Sequence, residues 1–314
     1  MFAFSDLTVQ QLESFVAVAE EGQFTRAAAR LHVAQPSVSF QIRRMETVTG
    51  ARLFHRGRGP VSLTDAGSVL LPLARRVLSD LAEIIHRVGE LDGLQRGHVS
   101  IGATPSLGSA LLPGVLSRFH RRHPGITLEV TERDSDQLAD GLEIGMLDVA
   151  LAIFPLRHPQ LEHVTLAVEE LVVVVPSDHE LASAGEVSIR ELVGVALIMF
   201  HEGYDLRSTT LEAFSAAGLT PTVSLDGAEI GSVLSLVEEG LGAAIVPSIV
   251  AAGAVNVCVL RLVRPRLERE IGLVWHRDRP LSLAATALCD EIDAQLVEEG
   301  WPATPASGVR LVRH

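Results

Sequence analysis

The sequence predicts an α/β protein with an N-terminal winged helix-turn-helix, a long linker helix and a two-lobed α/β body. Three observations carry that prediction. Up to residue 64, apolar residues recur at helical spacing in three short segments and then alternate around a Gly/Pro turn. A helix follows whose apolar residues return in steps of four and three. From residue 97 onward, apolar runs of strand length alternate with amphipathic helices, the pattern of a parallel sheet covered on its faces. At 314 residues the chain is too long for one small core, and 47% hydrophobic content excludes a disordered chain.

In the head (7–64), "LTVQQLESFVAVAEEG" places Leu12, Phe15, Val16 and Ala19 on one helical face and stops at Gly22. "FTRAAARLHV" is a second, short helix with Ala27, Ala28 and Leu31 inward. The third, "AQPSVSFQIRRME", sets Val38, Ile42 and Met45 toward a core and Pro36, Ser39, Phe40 and Arg43 toward solvent. Gly50 ends it. "ARLFHRGRGPVSLT" then reads as two short strands, a wing. The turn His32, Val33 and Ala34 lets Ala28 and Val38 pack together, which fixes the angle between helices two and three. In such modules the second helix of the pair enters the major groove of DNA, although the same corner also occurs as a purely structural device.

Thr64 is the expected N-cap for the linker helix (65–94), along which Leu70, Ala74, Val77, Leu81, Ile84, Val88 and Leu91 form a heptad seam. The seam predicts a dimerising helix; packing on its own domain is the plainer alternative. The body spans 97–300, with lobe I at 97–167 and 270–300 and lobe II at 168–269. Strands crossing between two α/β lobes leave a cleft between them, a usual place for a small ligand. Residues 241–260 carry no charge over about the length of a membrane span. Gly242, Pro247, Ser248, Gly253 and Asn256 interrupt that run, so it reads as strand, short helix and strand. Residues 301–314 read as a flexible tail.

The net charge is −13, yet residues 1–64 hold seven arginines against five acids, +2, which leaves −15 for the rest. All 26 basic residues are arginine, which with abundant Ala, Val and Gly points to a high-GC bacterial coding bias. Cys258 and Cys289 sit in apolar surroundings and the N-terminus resembles no export signal, so reduced thiols in a cytoplasm are expected. No P-loop, GxSxG, HExxH or metal-spaced Cys/His cluster is present, which argues against an enzyme and predicts no cofactor or metal. His120, His123, His158, His163 and His179 are scattered and read as surface histidines. A solute-binding protein without a DNA role is the competing reading, because the body alone would suit it.

The stretch from Leu12 to Gly67 resembles the N-terminal domain of LysR-type transcriptional regulators. The matching features are "F.RAA..L.V.QPSVS.QI", "G.RLF.R" and "LT.AG". The heptad helix and two-lobed, periplasmic-binding-protein-like effector domain extend the resemblance over nearly the whole chain. It implies a homo-oligomer, dimer or tetramer, on double-stranded promoter DNA, switched by a small-molecule effector, with RNA polymerase as a further partner and no membrane. The resemblance assigns DNA contact to Gln35, Pro36, Ser37, Ser39 and Arg43 on the recognition helix and to Arg56 and Arg58 on the wing. Phe40 stands where the family usually has a basic or polar residue; it either meets a thymine methyl or packs without reading a base. Arg44 is open between contact and solvated charge. The family's effector cleft maps onto Thr104, Ser106, Ser135, Phe200, His201, Glu229 and Ile230, although N-capping alone would also explain Thr104, Ser106 and Ser135. His201 and Arg207 are the nearby groups able to pair with a carboxylate, and Arg207 also reads as a solvated charge.

Overall fold

The computed structural model describes residues 7–55, 61–89, 96–252, 254–298 and 309–312. The chain divides into two compact units, the head with its linker helix and the body.

In the head, α1 (Val9–Glu21) opens with a capping box. Thr8 accepts from the Gln11 amide while the Gln11 side chain returns to the Thr8 N–H. Gly22 closes the helix at φ +63°. Helix α2 (Phe24–Arg30) ends differently, with His32 in the left-handed region at φ +54°. There the Val33 N–H reaches the Ala28 carbonyl at 3.0 Å and the His32 N–H reaches Ala29 at 3.2 Å. This is a Schellman closure with histidine where glycine is usual, and it sets the turn into α3 (Gln35–Thr49).

The three helices meet on a dry core. Phe15, Ala27, Val38, Ile42 and Met45 are each 0% exposed. Alanines at 27 and 28 let the helices of the motif approach closely. Strands β1 (Phe54–His55) and β2 (Ser62–Leu63) pair antiparallel, and the Phe54 ring lies 5.3 Å from Phe15. The predicted wing therefore starts and ends as expected, while its tip lies outside the described residues.

Helix α4 (Asp65–Gly89) is capped by Thr64, whose Oγ1 accepts from the Gly67 N–H at 3.1 Å. The expected seam divides into two faces. Leu70, Leu71, Ala74 and Leu78 pack into the head's own core, whereas Val69, Leu73, Val77 and Ile84 are exposed. The first helical turns lie against the head, so the outward apolar stripe is displaced by one position from the predicted seam at its start. Leu81 is half-buried; the side chain of Val88 and the whole of Leu91 lie outside the described residues.

The body begins with β3 (Gly97–Ala103), α5 (Pro105–Ala110), α6 (Leu112–Arg122), β4 (Ile126–Glu132), α7 (Ser135–Glu143) and β5 (Val149–Phe154). The stretch between β3 and β4 forms two helices, broken at Leu111 before Pro113. Strand β6 (Leu161–Pro176) then runs through both lobes. Lobe II adds β7 (Glu186–Ser188), a 3-10 turn at Ile189–Leu192, β8 (Ala196–Phe200), α8 (Asp205–Ala216), β9 (Thr222–Ala228) and α9 (Ile230–Glu238). It closes with β10 (Ala244–Pro247), α10 (Ser248–Ala251) and β11 (Val257–Arg264). Strand β12 (Glu268–His276) returns to lobe I, followed by α11 (Leu283–Glu298) and β13 (Val309–Leu311).

The sheet is mixed, not parallel throughout as the repetition of strand and helix suggested. Strand β3 is parallel to β4 and β5, and β8 is parallel to β9. Strands β10, β11 and β12 all run antiparallel to β6. The reason is topological: a chain that crosses into a second lobe on one strand and comes back on its neighbour must reverse direction. The uncharged run 241–260 forms β10, α10 and the start of β11, and among the described residues no helix is long and apolar enough to cross a membrane. The tail expected at 301–314 includes β13, which pairs with β6 at Ala167–Glu169; residues 299–308 and 313–314 lie outside the described residues.

Gly67 faces the Leu53 backbone so closely that an added Cβ would collide with the Leu53 carbonyl oxygen. Gly67→Ala is therefore expected to cost about 1–3 kcal/mol of stability by forcing α4 off the base of the wing. Urea unfolding of the full chain measures this, and an unchanged midpoint would contradict the packing described.

Candidate nucleic-acid interface and ligand cavity

Helix α3 presents two unlike faces. Val38, Ile42 and Met45 are buried at 0% exposure, while Phe40 stands 58% exposed on the other side. Gln35, Pro36, Ser37 and Arg43 are also exposed, and Ser39 is half-buried. The polar residues of that face are ordered by one another. Gln35 Nε2 donates to Ser39 Oγ at 2.9 Å, and Arg43 Nε donates to the Ser39 carbonyl at 3.2 Å. Spacing of four residues along a helix makes this row possible. Side chains held in this way lose less rotamer freedom on meeting a partner. No side chain caps the N-terminus of α3, since Ala34 holds that position.

The charges of the head are sorted. Arg30 and Arg75 both pair with Glu20, at 2.6 and 2.8 Å, and Arg26 pairs with Glu21 at 3.0 Å. Among the described residues Arg43 and Arg44 take part in no ion pair, and both are exposed. Their positive charge is thus uncompensated beside the outward face of α3, where a phosphate backbone would find it. Arg56 and Arg58 lie outside the described residues.

A cavity of about 340 Å³ opens between the lobes of the body. Its apolar wall comes from Ile153, Phe154, Pro155 and Leu156 in lobe I and from Leu171 and Leu206. Ser135, Ser208 and Thr209 add hydroxyls; Asp136, Asp205, Glu212, Glu268 and Arg269 add charge. Ser135 links the two sides. Its Oγ accepts from the Ile153 N–H at 3.0 Å and donates to Asp205 Oδ2 at 3.4 Å. Burial in the cleft raises the Asp205 carboxyl above the ordinary range, and the nearby Asp134 and Asp136 carboxylates raise it further.

Behind the cavity lies a buried ion pair. Glu169 on β6 and Arg269 on β12 are direct register partners, with side chains 0% and 9% exposed. Glu169 Oε2 accepts from Arg269 Nε at 2.7 Å and lies equally close to its terminal nitrogen. Its Oε1 accepts from the Ile249 N–H at 2.7 Å and from Ser248 Oγ at 3.3 Å. Arg269 then donates onward to Ser106 Oγ at 3.0 Å. Tyr204 lies beside this group, its hydroxyl against Ser106 without the geometry of a hydrogen bond. Burial pushes that hydroxyl up to about 12, so it stays neutral.

Of the seven cleft residues suggested by the sequence, Ser135 alone lines this cavity. Thr104 and Ser106 are buried beneath it, Thr104 with its Oγ1 unpartnered among the described residues. Phe200 and Ile230 are buried in the core of lobe II. His201 and Glu229 form an exposed pair at 3.8 Å, with the His201 ring stacked 5.4 Å from Tyr204. Arg207 is engaged by Asp226 and by the Phe200 carbonyl. Sequence reasoning missed Asp136, Asp205, Glu212 and Arg269. One signal was available: Glu169 and Glu170 interrupt an otherwise apolar strand, and a buried carboxylate requires a partner. Both cysteines are free and half-buried, and burial pushes the Cys289 thiol up to about 12, so it is inert as a nucleophile.

Comparison with known proteins matches both the head and the body. The model of bacterial regulatory helix-turn-helix proteins of the lysR family matches residues 9–68, and that of the LysR substrate binding domain matches residues 92–297. The chain is 31% identical over 276 residues to the uncharacterized HTH-type transcriptional regulator YybE of Bacillus subtilis, covering 88% of this chain and 94% of that one. A full-length OxyR variant from Pseudomonas aeruginosa superposes with a TM-score of 0.68 at 25% identity, covering 91% of this chain and 94% of the other. Full-length CbnR in complex with its target DNA gives a TM-score of 0.67 at 26% identity, covering 91% and 99%.

Proposed function

The chain belongs to the LysR family of DNA-binding transcriptional regulators with an effector-binding domain, and from that premise we propose how its residues divide the work. It is a regulator, not an enzyme, and acts as an oligomer on DNA. The head (7–64) reads the promoter, the linker (65–94) joins subunits through the exposed apolar stripe of α4, and 97–300 binds the effector. A solute-binding role without DNA, which the body alone would suit, does not account for the match over residues 9–68. A cytoplasmic location follows from this function.

The observation that carries the proposal is the outward face of α3, where Gln35, Ser39 and Arg43 are held in a row beside uncompensated arginine charge. Gln35 and Arg43 reach base edges or phosphates, with Ser37, Ser39 and Pro36 against the backbone, and Arg56 and Arg58 contribute from the wing. Phe40 meets the apolar feature of the major groove, a thymine methyl. In the body, the ligand acts by binding one arrangement of the lobes better than the other, and that difference is passed through the oligomer to the spacing of its heads.

Footprinting on the protein's own upstream region, with and without a metabolite panel, tests the whole reading. An interrupted dyad-symmetric footprint that changes with one metabolite is expected, and purified protein that ignores DNA but binds a metabolite would overturn it. Arg43→Ala is expected to weaken operator binding by about 1–3 kcal/mol. Unchanged affinity and footprint would remove Arg43 from the interface. Phe40→Arg is expected to change base preference at a single position in a selection experiment; a uniform change in affinity at every position would instead make Phe40 a packing residue.

A further inference from the structure

The charges lining the interlobe cavity do not balance. Among the described residues its one cation, Arg269, is held by Glu169 at 2.7 Å. One of its four carboxylates, Glu268, is engaged by Arg266 at 3.1 Å. The remaining three, Asp136, Asp205 and Glu212, take part in no ion pair among the described residues. Arg207, the cation of α8 nearest Asp205 in sequence, is turned away to Asp226. Repulsion acts across the cleft at Asp205 of lobe II, whose carboxyl is raised by the Asp134 and Asp136 carboxylates of lobe I. Ser135, between them, offers Asp205 one hydrogen bond of 3.4 Å, which does not neutralise it.

An anionic ligand entering this space would meet three carboxylates and find the arginine already engaged. A neutral one would leave the repulsion in place. We infer that the cavity takes a cationic ligand, a protonated amine or guanidinium carried on a small apolar body. The apolar wall of Ile153, Phe154, Leu156 and Leu206 buries the body, and the charged head sits among Asp136, Asp205 and Glu212. Bound there, the cation attracts carboxylates from both lobes at once, so it favours the arrangement in which they approach and supplies the difference in affinity that switching requires. The raised proton affinity of Asp205 has the same origin: partial burial beside like charges makes any added positive charge favourable. This inference rests on the effector-binding reading of the body and adds the charge of its ligand.

The test uses the full chain with two cationic probes, phenethylamine and agmatine, and the anionic counterpart 3-phenylpropionate, followed by calorimetry and by footprinting. Both cations are expected to bind, at least one of them about tenfold tighter than the carboxylate, as follows from a hydrogen-bonded charge pair. Asp205→Asn should weaken the cation by about tenfold on the same ground, and Glu212→Gln, on an exposed helix face where folding is not at risk, should weaken it in the same direction. Preferential binding of 3-phenylpropionate would overturn the inference, and if it also changed the footprint the effector reading would still stand. Binding of neither cation, or cation binding indifferent to both substitutions, overturns the inference as well. A cation that binds in an Asp205-dependent way but leaves the footprint unchanged keeps the charge assignment and contradicts the effector reading.

Discussion

The carboxylate of Glu169 is the point on which the body depends. It sits at 0% exposure where β6 passes from one lobe into the other, and it satisfies both oxygens. One oxygen holds Arg269 on β12, the strand by which the chain returns; the other holds the start of α10. A buried carboxylate without such partners would be prohibitively costly. The pair therefore constrains three segments at once: the outgoing strand, the returning strand and the helix that follows β10. It also bears on the chemistry of the neighbouring cavity, because the charge of Arg269 is already met from behind by Glu169.

The head is governed by a different constraint, close approach of backbones. Ala27 and Ala28 at the α2–α3 corner and Gly67 against Leu53 leave no space for larger side chains. These small residues allow Phe15, Val38 and Ile42 to close the core, and the closed core keeps Phe40, Gln35 and Arg43 on the outside. Burial on one face of α3 and recognition on the other are thus two results of one helical period. The salt links of Glu20 and Glu21 to Arg26, Arg30 and Arg75 are exposed and add little stability. Among the described residues, their larger effect is to leave Arg43 and Arg44 uncompensated beside the reading face.

The head was legible in the sequence because its information is local. Helical period and the stops at Gly22 and Gly50 lie within a few residues of one another, and the recognition helix follows from them. The body was legible as alternating elements but not as a site. Strand β6 shows as a continuous apolar run only from Leu171, since Glu162, His163, Thr165 and the glutamate pair disguise its first half, yet it begins at Leu161. Arg269 reaches Glu169 across a separation of 100 residues, and Asp205 meets Ser135 across 70, pairings that no local spacing announces. Thr104 and Ser106 are both buried, and Arg269 donates to Ser106 from the side of the cavity, so neither lines it. The linker seam erred because its first turns bury against the head, which only the fold reveals.

A double-mutant cycle on Glu169 and Arg269, read by urea unfolding of the effector-binding domain within the full chain, tests the central claim most directly. Glu169→Leu or Arg269→Met alone should each destabilise by about 3–5 kcal/mol, because either leaves a buried charge unpaired. The double variant should lose at least about 2 kcal/mol less than the sum of the singles. Additivity within about 0.5 kcal/mol would mean that the two side chains act independently. In that case the crossing strands are held by something other than this pair.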